Sequence, residues 1–105
     1  MTTPTINYDD IYKTHIMEHM VSDAIDNHIQ IDPNTIVFVF NAMEYGTFIL
    51  VATIVEHDDT ITIEYKWKHM GAIAWYNDTI DMEIDDTMTI WIETMVYMVA
   101  HNIQW

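Results

Sequence analysis

The sequence predicts an α+β domain in which an N-terminal helix, a four- to five-stranded antiparallel meander sheet and a C-terminal helix follow one another along a single domain, residues 1–105. Two apolar rhythms and one absence lead there. Residues 8–28 lack Gly and Pro and gather Met17, Met20, Val21, Ala24 and Ile25 on one side at about 100° per residue, the helical period. Residues 60–68 instead alternate, with Ile61, Ile63, Tyr65 and Trp67 facing one way and Thr62, Glu64, Lys66 and Lys68 the other. Cysteine is absent, so stability must come from packing, and half the residues are apolar, enough for one core.

In order, the first helix carries Asp9 and Asp10 in or before its first turn, where the helix dipole favours negative charge. Its polar side holds Tyr8, Tyr12, His15, His19, Ser22, Asp23 and Asp26, with Glu18 at the edge. Ile31-Asp32-Pro33-Asn34 is expected to end it, because Pro restricts the residue before it. Residues 36–43 and 47–56 are rich in β-branched and aromatic side chains on both faces, the pattern of strands covered on two sides, with Tyr45-Gly46 as the turn between them. Asp58-Asp59 turns into the alternating strand.

His69-Met70-Gly71 reads as a connection, residues 72–76 as a short strand, and Asn77-Asp78 as a turn. A further alternating segment follows, with Ile80, Met82 and Ile84 inward and Asp81, Glu83 and Asp85 outward. Residues 87–102 place Met88, Trp91, Ile92, Met95, Val96 and Val99 on one broad helical face, although their propensities also suit a strand. Strands apolar on both faces require either helices on opposite faces or a second subunit on one of them. The nearly uncharged C-terminal helix is compatible with a homodimer.

Seventeen acidic side chains against three lysines and no arginine give a net charge of -14. Such a chain lacks the groups that grip phosphates, so neither nucleic acid nor an anionic membrane is expected to bind it directly. Its expected partner is a basic nucleic-acid-binding protein. The charge concentrates in residues 1–35 and in residues 69–86, each contributing -5. The candidate partner-binding residues are therefore Asp9, Asp10, Glu18, Asp23 and Asp26 on the first helix, and Asp78, Asp81, Glu83, Asp85 and Asp86 around the last strand. Alternate strand residues stand about 6.7 Å apart, close to two phosphate rises of ~3.4 Å along one DNA strand.

In size, charge and element order the chain resembles the phage DNA-mimic inhibitors, among them anti-restriction proteins, uracil-DNA glycosylase inhibitors and some anti-CRISPR proteins. That likeness carries no aligned motif. Leu50 is the only leucine and Ser22 the only serine, a bias suggestive of a phage or viral gene or of a library sequence. The alternative expectation is a homo-oligomeric structural or accessory protein whose acids confer only solubility.

His15-Ile16-Met17-Glu18-His19 matches the H-x-x-E-H pattern, whose histidines share a helix face and can bind zinc. A chain this short scarcely supplies the third ligand and the substrate chamber, so two exposed histidines are the stronger reading and no metal is assigned. His57, Asp58 and Asp59 make an ordinary polar turn. With only Gly46 and Gly71 there is no phosphate loop, and no serine or threonine sits in a hydrolase motif, so neither enzymatic activity nor a cofactor is expected. Residues 1–10 lack a signal-peptide pattern and the longest uncharged apolar stretch, 47–55, is too short to span a bilayer, so the expected compartment is the cytoplasm, the host's if the source is a phage.

Overall fold

The structure, a computed structural model, describes residues 8–103. Its elements are α1 (Tyr8–Asp26), β1 (His28–Asp32), β2 (Thr35–Asn41), a 3₁₀ turn (Met43–Tyr45), β3 (Thr47–Glu56), β4 (Thr60–His69), β5 (Tyr76–Glu83) and α2 (Met88–Ala100). The strands form one antiparallel sheet in chain order, β1-β2-β3-β4-β5, so the α+β meander with a helix at each end is the observed fold.

Two segments differ from the sequence expectation. The first helix stops at Asp26: the Asn27 N–H makes the last i→i−4 bond, to the Asp23 carbonyl at 3.0 Å, and the Asn27 side chain donates to the Asp23 carboxylate at 2.8 Å. The residues after it then pair with β2 as β1, so partner strands override a run that lacks helix breakers. Pro33-Asn34 makes a strand reversal in place of a helix end, with the Asn34 N–H donating to Asp32 Oδ1 at 2.8 Å. The second difference lies at the other edge. Residues 72–75 form a loop, and Asn77 and Asp78, expected to turn, are inside β5 opposite Lys66 and Tyr65.

That shift puts Tyr76, Asp78, Ile80 and Met82 on one face of β5 and Asn77, Thr79, Asp81 and Glu83 on the other. Ile84, expected inward, lies past the strand end and is exposed, and Asp85 sits in the following turn, so the outward row ends at Glu83.

Both helices lie on the same face of the sheet. Ile16, Met20, Val21 and Ala24 of α1 and Ile92, Met95, Val96 and Val99 of α2 form one core with Phe38, Phe40, Phe48, Leu50, Ile63 and Trp67. Phe40 and Phe48 stack at 6.0 Å, and Phe48 meets Trp67 edge-on at 6.1 Å. Met88 and Trp91 pack only partly against this core, and among the described residues the buried Trp91 indole N–H lacks a hydrogen-bond partner, a cost of about 1–3 kcal/mol. α2 begins at Thr87, whose hydroxyl accepts from the Ile90 N–H.

The β2–β3 connection depends on Gly46. Its φ is +97°, and a Cβ there would collide with the His69 imidazole. His69 is held in turn: its Nδ1 accepts from the Gly71 N–H at 3.1 Å and its ring meets Phe48 edge-on at 5.3 Å.

Candidate interaction surface

The strand register gathers carboxylates that are far apart in sequence. Thr60 pairs with Glu83 and Thr62 with Asp81, so the β3–β4 turn bearing Asp58 and Asp59 stands beside the exit of β5. Glu56 closes β3 at this end, Asp85 and Asp86 follow β5, and Asp32 ends β1 beside the β1–β2 turn at the same end of the sheet. No lysine lies in these turns.

The acids are set on fixed backbone. Asp81 Oδ1 accepts the Thr62 hydroxyl at 2.9 Å, and that hydroxyl, its proton so committed, accepts from His57 Nε2 at 3.1 Å. Asp86 Oδ2 accepts the Glu83 N–H at 2.8 Å and shapes the turn into α2. Glu83 and Asp85 remain exposed and free to face a partner. The His57–Thr62–Asp81 chain places the hydroxyl in the middle with its O–H directed at the carboxylate. A nucleophilic relay needs the imidazole between the two.

Of the remaining candidates, Asp78 projects on the side of the sheet that carries the helices yet stays exposed, and it accepts the Tyr65 hydroxyl at 3.4 Å and the Thr79 N–H at 2.8 Å. The Tyr65 phenol is pushed up to about 12, by burial first and then by the charge and hydrogen bond of Asp78. Asp23 is also engaged in structure: Oδ2 accepts the Asn41 N–H at 2.7 Å and ties α1 to β2. Glu18 and Asp26 are exposed on α1, and Glu18 lines a groove of about 280 Å³ between the helices with Glu93 and Tyr97. Asp9 and Asp10 lie in the first turn of α1, and their side chains fall outside the described residues.

The two acidic segments thus form separate surfaces. Tyr12 donates to Glu44 at 3.0 Å and Asp23 bonds Asn41, which fastens α1 to the β2–β3 end of the fold, opposite the carboxylate-bearing turns. The sequence did point to Asp81, Glu83, Asp85 and Asp86. Glu56, Asp58 and Asp59 escaped because only the β4–β5 register shows that the hairpin sits against them, although three acids within four residues were the available signal.

His15 is exposed and His19 half-buried on α1, and among the described residues no group of three or more His, Asp or Glu side chains is arranged to hold a metal ion. Among the described residues no helix is long and apolar enough to cross a membrane. Trp105, an aromatic side chain of the kind that anchors a partner or a second subunit, lies outside the described residues.

The uncovered face of the sheet is a different surface. Val37 and Val39 on β2 and Ile49, Val51 and Val55 on β3 point away from the helices, as does Ile29 of β1, which is 63% exposed. Beside them Lys66 and Lys68 each sit 4.8 Å from the centroid of Trp75, which folds back from the β4–β5 loop. Comparison with protein-family models, with curated proteins and with solved structures yields no match.

Proposed function

We propose that this chain is a non-enzymatic acidic binding protein that occupies the basic nucleic-acid-binding surface of another protein by presenting carboxylates in place of a phosphate backbone. The observation that supports this most is the pairing of Thr60 with Glu83, which brings Asp58 and Asp59 alongside Asp81, Glu83, Asp85 and Asp86. Asp81 and Glu83 stand about 6.7 Å apart on one strand, near the span of two phosphate rises. Strand pairing and hydrogen-bonded turns hold the array, so a partner need not pay to order it. In this role the protein would be a decoy of the kind phages use against restriction, CRISPR or DNA-repair enzymes, acting in the host cytoplasm.

Affinity capture from a bacterial lysate at low salt is expected to retain basic nucleic-acid-binding proteins that elute as salt rises and that duplex DNA displaces. Neutralising the turn cluster as Asp58→Asn, Asp59→Asn, Asp81→Asn, Glu83→Gln, Asp85→Asn and Asp86→Asn is expected to weaken capture at least about tenfold, since each lost charge reduces the electrostatic term. Glu18→Gln with Asp26→Asn removes two charges from α1, away from the turn cluster, and is expected to weaken capture much less per charge than the cluster substitutions. Partners held equally at low and high salt, or held equally by the neutralised protein, would reduce the acids to a solubilising coat.

A further inference from the structure

We infer that the open face of the sheet is an interface between two copies of this chain, packed face to face about a two-fold axis that runs across the strands between Glu64 and Lys66. This does not rest on the decoy reading: of the carboxylate array it uses only Asp81, on β5, which in the paired form is turned toward the second copy and no longer offered to a basic partner.

An antiparallel sheet with one solvated face normally makes that face polar. β4 obeys, but Val37, Val39, Ile49, Val51 and Val55 do not, and with Ile29 they form an apolar field on the side the helices leave bare. Contiguous apolar surface of this kind marks an interface. The charges around it identify the occupant.

Two of the three lysines in the chain, Lys66 and Lys68, lie on this face beside Glu64 and Asp81, so it carries both signs in adjacent positions, as a surface that pairs with a second copy of itself requires. Along β4 the outward residues run Lys68, Lys66, Glu64, Thr62, and Thr62 holds Asp81. The first two are positive, Glu64 is negative, and neutral Thr62 has the Asp81 carboxylate of β5 beside it.

A half-turn about an axis across the strands, midway between Glu64 and Lys66, reverses that order in the second copy. Lys66 then meets Glu64 of the second copy, and Lys68 meets its Thr62–Asp81 pair. On β3, level with these residues, the same operation sets Ile49 against Val55 and Val51 against Thr53. Aligned sheets pack about 10 Å apart with strands rotated by about 30°, an offset that leaves residues beside the axis in register. An axis parallel to the strands would instead align the strands and lose this exchange of signs. Both lysine heads sit 4.8 Å from the centroid of the Trp75 ring, and a trough of about 500 Å³ lined by Val51, Thr53, Glu64 and Lys66 lies open to receive side chains. Both helices, with Glu18 and Asp26, remain on the outer sides of such a pair, where their negative charge is solvated.

The test is sedimentation equilibrium of the full chain with charge-swapped variants. The wild type is expected to weigh twice 12.4 kDa at micromolar to millimolar concentration. Lys66→Glu alone, or Glu64→Lys alone, sets like charges against each other across the axis and is expected to raise the dissociation constant at least about tenfold. The double variant Lys66→Glu with Glu64→Lys exchanges the two sites and is expected to restore the dimer. Circular dichroism checks that each variant is folded. A monomeric wild type, a dimer indifferent to both single swaps, or single-swap losses that the double swap does not rescue would each overturn the arrangement.

Discussion

Leu50 and Val51 are neighbours on β3 and equally apolar, yet Leu50 is 1% exposed beneath the helices while Val51 looks out on the open face. The two faces of the sheet diverge from there. The covered face is closed by α1 and α2 with side chains from every strand except β1, and its polar atoms are few. The open face is apolar across β2 and β3 and charged across β4 and β5. What this teaches is that an apolar residue in this sheet has two different reasons to be there, core packing on one side and association on the other.

Truncation separates the two reasons. Leu50→Ala leaves a cavity in a close-packed core and is expected to cost about 2–5 kcal/mol in urea unfolding. Val51→Ala is expected to cost under about 1 kcal/mol in dilute solution, where the face meets water. A Val51→Ala loss that grows with protein concentration is the behaviour of a residue covered by a second copy. Equal losses at high dilution would mean that the open face is closed within one chain.

The same contrast explains what could be read from the sequence. β4 was legible because one of its faces is charged, and a period-two signal needs the faces to differ. β3 was legible from its length of β-branched residues, but a strand apolar on both faces does not say which element covers each side, so the placement of both helices on one face was not readable. β1 was hidden because its burial is slight throughout and its pairing with β2 is what makes it a strand. The displaced β5 start had a similar cause. Asn77-Asp78 has turn chemistry, but Asp78 spends it on the Thr79 N–H and the Tyr65 hydroxyl within the strand. The acid cluster was half legible for this reason: β5 showed itself, and the register that adds Asp58 and Asp59 did not.

Alkaline titration probes the covered face through Tyr65. Its phenol is held up to about 12 by burial and by Asp78, whereas an unfolded tyrosine titrates near ~10. Stability from this group is therefore complete below pH ~10 and is lost as pH rises toward 12, because the unfolded chain releases its proton first. The loss across that window is expected to be on the order of 2 kcal/mol. Tyr65→Phe should remove that part of the alkaline slope in pH-dependent denaturation. Tyr12, also raised by its hydrogen bond to Glu44, is the control at the surface. A slope unchanged by Tyr65→Phe would show that the phenol is not shielded beneath the helices.

The smallest effect belongs to the open face itself. Thr62 is half-buried there, its hydroxyl donating to Asp81 and accepting from His57. Both partners are exposed, so water replaces the hydroxyl in each bond when it is removed, and valine suits a strand at least as well as threonine. Thr62→Val is thus expected to change the thermal unfolding free energy of the dilute protein by no more than about 0.5 kcal/mol. Its consequence should appear in association, since Asp81 loses the hydroxyl that orients it toward Lys68 of the second copy. A penalty well above 1 kcal/mol in dilute solution, near the figure for an unsatisfied buried group, would place Asp81 and His57 away from water and erase the distinction between the two faces.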